Sequence, residues 1–208
     1  MKSMFVLVTC LFFLFMLSGC RDSDEISLPE QSSHIHDILS IRNSDGDSIY
    51  YGMSQVDVES ILGLGEAGFG NTHFYESADI TILYRDGIVA LLTMHSDSGW
   101  RLANGIYIGM RVYDQQVFYG KTVEESRQFT RYITNQYDAS ILTVDYRFAL
   151  EGDSDLRLLA TVEEYEELRR ETLGQDILRY RFMVSLRAPD DTVAIIVFGD
   201  QQALFTLR

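Results

Sequence analysis

An α+β fold, with short helices packed on one face of an antiparallel sheet, is what this sequence predicts. Three observations carry the prediction. Segments that alternate apolar and polar residues, of which Leu178–Arg187 is the longest, are bounded by Gly, Asp and Asn turns. Short stretches with helical spacing and capping residues lie between them. An apolar fraction of 46% excludes disorder for the body of a 208-residue chain, which is long enough for one good core.

The first element is no part of that core. Lys2 gives a positive start, and Met4 to Leu17 is apolar apart from Thr9. This run falls short of the roughly 20 residues that span a bilayer and has the length of a signal-peptide core. It ends in Leu17-Ser18-Gly19-Cys20, which resembles the lipobox of bacterial lipoproteins. The resemblance implies that residues 1–19 are a signal peptide and that Cys20 is acylated and becomes the new N-terminus. Each buried methylene contributes about 0.8 kcal/mol, so two or three acyl chains hold firmly where one does not. Arg21 follows the cysteine where Asp tends to mark inner-membrane retention, so in a host with two membranes the outer one is expected. Residues 20–48 are expected to be an acidic flexible tether, beginning with the polar Arg21–Ser33 segment.

Two units are expected beyond the tether, over residues 49–107 and 108–208. Gly52-Met53-Ser54-Gln55-Val56-Asp57 and Gly109-Met110-Arg111-Val112-Tyr113-Asp114 share their Gly, Met and Asp, and each stretch closes on a glycine, Gly63 and Gly120. In the first, Ser54 can cap a helix with Asp57 at the capping-box position, and Met53 and Val58 can form a hydrophobic staple. A second helix is expected in the other copy, although Arg111 replaces the capping serine. Arg85-Asp86-Gly87 joins the expected strands Asp79–Tyr84 and Ile88–Met94 as a hairpin turn. Thr122-x-x-Glu125 opens a helix to about Asn135, and Thr161-x-x-Glu164 opens another over Val162–Thr172. Strands are expected over Ile141–Phe148, Leu178–Leu186 and Val193–Phe198.

The pattern Gly-Met-(Ser/Thr)-x-x-x-Val, a short helix, a closing glycine and a hairpin resembles the SmpA/OmlA lipoproteins and the β-lactamase inhibitor protein fold. It covers Tyr50 to Met94 and, less completely, Ile108 onward. The resemblance implies tandem helix-plus-sheet units and a protein partner in the cell envelope. The insertion around Leu156–Gly174 departs from the family pattern.

Several motifs lack the context their chemistry needs. Gly63-Leu64-Gly65-Glu66-Ala67-Gly68 spells the dinucleotide fingerprint, but the expected helix precedes it, so it reads as a helix end and a loop. Asn43–Ser48 looks like a calcium loop, yet Ser48 and Ser54 stand where glycine and a bidentate glutamate are needed, which leaves a polar turn. His34, His36, His73 and His95 offer no i,i+4 metal pair, and no nucleophile elbow or His-Glu-x-x-His helix is present. Cys10 and Cys20 are the only cysteines, and Cys10 leaves with the signal peptide, so no disulfide is expected. No cofactor or metal is implied. A net charge of −14 argues against nucleic acid and disfavours lying flat on anionic lipid.

Alternation in Leu178–Arg187 places Arg179, Arg181 and Arg187 on the face away from Tyr180 and Phe182, with Arg147 on the same side of the neighbouring strand. That arginine row on an open sheet is the expected partner surface, and no enzymatic role is expected. The chain therefore reads as a lipid-anchored envelope module that acts by protein–protein binding. Two other readings stay open, an inhibitor of a secreted enzyme and an envelope hydrolase that uses some of the many carboxylates.

Overall fold

The computed structural model describes residues 34–112, 117–134, 142–159, 161–171 and 182–200. The first part holds α1 (Ile35–Ile38), β1 (Ser40–Arg42), β2 (Ser48–Tyr50), α2 (Gln55–Leu62), β3 (Glu66–Ala67), β4 (Thr72–Tyr75), β5 (Ile80–Arg85), β6 (Ile88–Met94) and β7 (Arg101–Leu102). The second holds β8 (Val117–Phe118), β9 (Lys121–Thr122), α3 (Val123–Thr134), β10 (Leu142–Glu151), β11 (Asp155–Leu158), α4 (Val162–Glu171), β12 (Phe182–Ala188) and β13 (Ile195–Asp200). The fold is α+β, as expected.

Each of the longer helices starts where its capping residues dictate. Ser54 Oγ accepts the Asp57 N–H at 3.2 Å, and Met53 and Val58 are both buried beside that cap. At α3 the capping box is reciprocal. Thr122 Oγ1 accepts the Glu125 N–H at 3.2 Å, while the Glu125 carboxylate accepts the Thr122 hydroxyl at 2.7 Å and its N–H at 2.8 Å. The bonds from that hydroxyl and N–H hold the Glu125 carboxyl below its ordinary range. Thr161 and Glu164 exchange a reciprocal pair of bonds at the start of α4, each at 3.1 Å.

Eight strands form the main sheet in the order β11-β10-β12-β13-β6-β5-β4-β3, with every neighbouring pair antiparallel. Each half of the chain supplies four of them, and the last strand of each half lies at the centre. Ile80, Ile82, Leu92, Val184, Leu186, Ile196 and Phe198 point to one face and are fully buried there. Val58 of α2 and Ile41 and Ile49 of the small sheet β2-β1-β7 belong to the same cluster. Leu83, Leu91, Met183 and Val197 form a second cluster on the opposite face. Helix α3 packs against β10, where Thr130 Oγ1 accepts the Asp145 N–H at 2.8 Å. Beside it Phe129, Ala149 and Leu159 pack with Val162, Tyr165 and Leu168 of α4.

Two expectations require correction. Residues 34–48 are not tether: Ile35, Ile38, Leu39 and Ile41 are buried, and Ile35 donates its N–H to the Ser154 carbonyl at 2.7 Å. Asn43 organises the polar turn between β1 and β2, its side-chain oxygen accepting the N–H groups of Asp45 and Asp47. The second glycine-methionine stretch ends in strand β8, Val117–Phe118, where a helix was expected. Its first residues dock as those of the first copy do: Gly109 and Val112 donate to Val193 and Asp191 and Val193 to Met110, just as Gly52 and Gln55 donate to Val89 and Gly87 and Val89 to Met53. Its closing glycine turns a hairpin instead, with Tyr119 and Gly120 both at positive φ between β8 and β9. Asp86 and Gly87 make the same two-residue turn between β5 and β6, as their sequence predicts.

The β6–β13 seam demands glycine at position 199. A Cβ there would meet the Ala90 carbonyl oxygen and come within 2.9 Å of the Leu91 Cα, at a φ of +133°. Both obstacles are backbone in a central strand. Gly199→Val should therefore cost at least about 2 kcal/mol in urea denaturation. Unchanged stability would mean that the two halves are not held at this distance.

Candidate interaction surface

Of the four arginines expected on the partner surface, Arg147 is not open to a partner. Arg147 faces the same way as Met183, as alternation required, but its side chain is only 7% exposed. Its Nη2 donates to Asp145 at 3.0 Å and its Nη1 lies 3.2 Å from the Met183 sulfur. A charge held in this way is committed to its surroundings and is not available to a partner. Ser185 and Met183 are buried beside it, so the face is not open here. Arg187 is exposed. Arg179 and Arg181 lie outside the described residues, as does Cys20.

A different surface lies at the other edge of the sheet. Every exposed large hydrophobic side chain among the described residues falls between positions 56 and 88: Val56, Leu64, Phe69, Phe74 and Ile88. Leu64 is 89% exposed and Phe69 80%, values at which neither side chain contributes to the core. Leu64 sits within the segment that spells the false dinucleotide fingerprint, and Phe69 directly follows it. Helix α2 ends as its last turn accepts the Gly63 N–H on the Glu59 carbonyl at 2.9 Å. The chain then enters the two-residue edge strand β3 and a single 3-10 turn, Phe69–Asn71, and no α-helix awaits a pyrophosphate.

The segment is held closely against β4. Glu66 pairs with Phe74 and Ala67 with His73 in register. Gly65 lies against the Tyr75 ring, and a Cβ there would stand 2.8 Å from its Cζ and 3.1 Å from the His73 Cβ. Gly68 is equally close to Thr72, whose carbonyl accepts its N–H at 2.7 Å. Thr72 Oγ1 closes the turn by donating to the Phe69 carbonyl at 2.6 Å. The platform beneath is itself pinned: Tyr75 and Tyr84 are buried and share a hydroxyl–hydroxyl bond of 2.6 Å. Burial, with the bond to Tyr75 adding to it, pushes the Tyr84 phenol well above its ordinary value. The His73 ring stands edge-on to Tyr84 at 5.3 Å.

The sequence offered one usable sign of this rim. Leu64 and Phe69 are large apolar residues set singly among glycines, with no periodicity that would bury them. A preorganised loop that presents two isolated apolar anchors can dock into complementary pockets at little entropic cost. Among the described residues no group of His, Cys, Asp and Glu side chains is placed to hold a metal ion. Compared with family models, with curated proteins and with solved structures, the chain matches none of them.

This division between platform and anchors is measurable. Leu64→Ser combined with Phe69→Ser should change the unfolding free energy by no more than about 0.5 kcal/mol, because both side chains are already in water. Gly65→Val should cost ~1–3 kcal/mol, because its side chain must displace a buried tyrosine ring. A large loss from the serine pair, or none from Gly65→Val, would overturn this assignment of roles.

Proposed function

We propose that this chain is an exported lipoprotein, acylated on Cys20, that serves as a protein-binding module of the cell envelope. In a host with two membranes it belongs on the periplasmic side of the outer one. The carrying observation is the rim of Leu64 and Phe69, exposed on a segment that β4 holds in place, and Phe74 of β4 itself. A rigid apolar projection lowers solubility and does nothing for the core, and an interface accounts for it. The likeness to tandem SmpA/OmlA and β-lactamase inhibitor units is part of the proposal. Helix α2 precedes the four strands of the first half and α3 those of the second, with α4 inserted between β11 and β12.

Where the chain enters the domain also supports the reading. His34 makes a bridge to Asp155 of β11, so the chain arrives at the sheet edge opposite β3. Seven strand spacings of about 4.8 Å put these edges on the order of 34 Å apart. The described chain thus enters at the edge away from the rim.

Detergent-extracted envelopes separated on a native gel test both. The unaltered protein should run as a complex larger than itself. Leu64→Ser with Phe69→Ser should collapse it to the free lipoprotein while leaving it in the membrane fraction. Cys20→Ser should leave an uncleaved precursor or release the protein to the soluble fraction. Normal processing and retention of Cys20→Ser would sink the lipoprotein assignment, and a complex indifferent to the serine pair would sink the rim.

A further inference from the structure

We propose that the partner of this rim is a protein surface with an apolar cleft bordered by lysine or arginine. The inference rests on the rim being a binding surface and adds the chemistry of what binds there. Residues 43–84, which supply β2, α2, the glycine-rich segment, β3 and β4, contain no Lys or Arg. The same stretch carries seven acidic residues, Asp45, Asp47, Asp57, Glu59, Glu66, Glu76 and Asp79.

Their placement matters more than their number. Glu66 lies between Leu64 and Phe69 in the chain, is exposed, and pairs in register with Phe74. Glu76 is brought to the base of the loop, because its neighbour Ser77 donates from Oγ to the Leu62 carbonyl at 3.4 Å. Neither carboxylate takes part in any ion pair among the described residues. The first cation after this stretch, Arg85, points its guanidinium at Asp200, 2.7 Å away. A partner that covers Leu64 and Phe69 therefore also takes the Glu66 carboxylate out of water. Leaving that charge unpaired would cancel what burial of the two apolar side chains contributes. A basic border on the partner satisfies it.

Charge also discriminates against other occupants. A second copy of this chain would set the rim's carboxylates against each other. An anionic lipid surface would repel them, and the rim lies at the sheet edge away from His34, where the chain enters. An acidic partner, suited to the arginine row, fails on charge.

Photocrosslinking of the full-length lipoprotein in its own host tests this. Benzoyl-phenylalanine is placed at position 64, 69 or, for comparison, 187, and the crosslinked peptides are identified by mass spectrometry. We expect positions 64 and 69 to join one and the same protein, through a peptide with more Lys and Arg than Asp and Glu. Glu66→Lys in the same chain should lower that yield several-fold, Glu66→Gln less, and added salt in isolated envelopes should lower it as well. Adducts to an acidic peptide, to lipid or to a second copy of the chain would overturn the proposal, as would a yield indifferent to Glu66→Lys. Adducts at position 187 alone would reject the rim and keep a binding role elsewhere. Adducts at none of the three would reject the binding role itself.

Discussion

The antiparallel pairing of β6 with β13 is the contact on which the rest of the molecule depends. Met94, Thr93, Leu92 and Leu91 face Ile196, Val197, Phe198 and Gly199 in register, and this ladder fuses two four-stranded halves into one sheet. It is buried from both sides, by Leu92 and Phe198 on one face and Leu91 and Val197 on the other. Gly199 sets how closely the strands approach. Asp200, fully buried, takes the Arg85 guanidinium from the end of a strand in the other half, so a charge is tied across the seam as well. A buried carboxylate with its arginine removed is strongly destabilising, which makes the pair a constraint on register more than a source of net stability.

From that seam the sheet grows outward to two edges with different fates. At the β11 edge the chain arrives through His34 and α1, and α3 covers backbone of β10 close by. Edges left open invite unwanted strand pairing, and these contacts shield this one. The β3 edge is kept short, at two residues, and is surrounded by glycine turns and carboxylates. It resists strand addition while still projecting Leu64 and Phe69. Leu64, Phe69 and Phe74, three of the five large apolar side chains exposed among the described residues, thus stand toward the end of the sheet farthest from His34.

Local chemistry was the legible part of this sequence. Ser54, Thr122 and Thr161 each start a helix because the donors they satisfy lie within three residues, and Asp86-Gly87 makes its hairpin for equally local reasons. The expectations that failed depended on pairing and packing that local patterns do not carry. The second glycine-methionine stretch had enough helical signal to mislead at its far end, where Val117 and Phe118 pair with Thr122 and Lys121 instead. Arg147 was placed on the right face by alternation, yet its cross-strand neighbour Met183 and the nearby Asp145 decide that it is buried. Ile35, Ile38, Leu39 and Ile41 are too thinly spaced among polar residues to announce a core segment, and β7 and the β10–β11 turn that receive them are far away in the chain. The rim was hidden behind a glycine pattern that suggests a nucleotide. Its glycines serve close contact with Tyr75 and Thr72 instead, which only the pairing of β3 with β4 brings about.

The central claim is that this rim is covered in the envelope and bare in isolation. With Cys20 acylated and Cys10 removed, as proposed, a cysteine placed at Leu64 is the only free thiol. Its labelling by a membrane-impermeant maleimide can be compared, under permeabilising conditions, between envelopes and the purified lipoprotein in detergent. The account predicts fast labelling of the purified protein, since position 64 is 89% exposed, and strong protection in the envelope. A thiol introduced at the exposed Asp45 turn should label equally in both. Equal labelling at position 64 in both settings would contradict the account, because nothing would then cover the surface on which it rests.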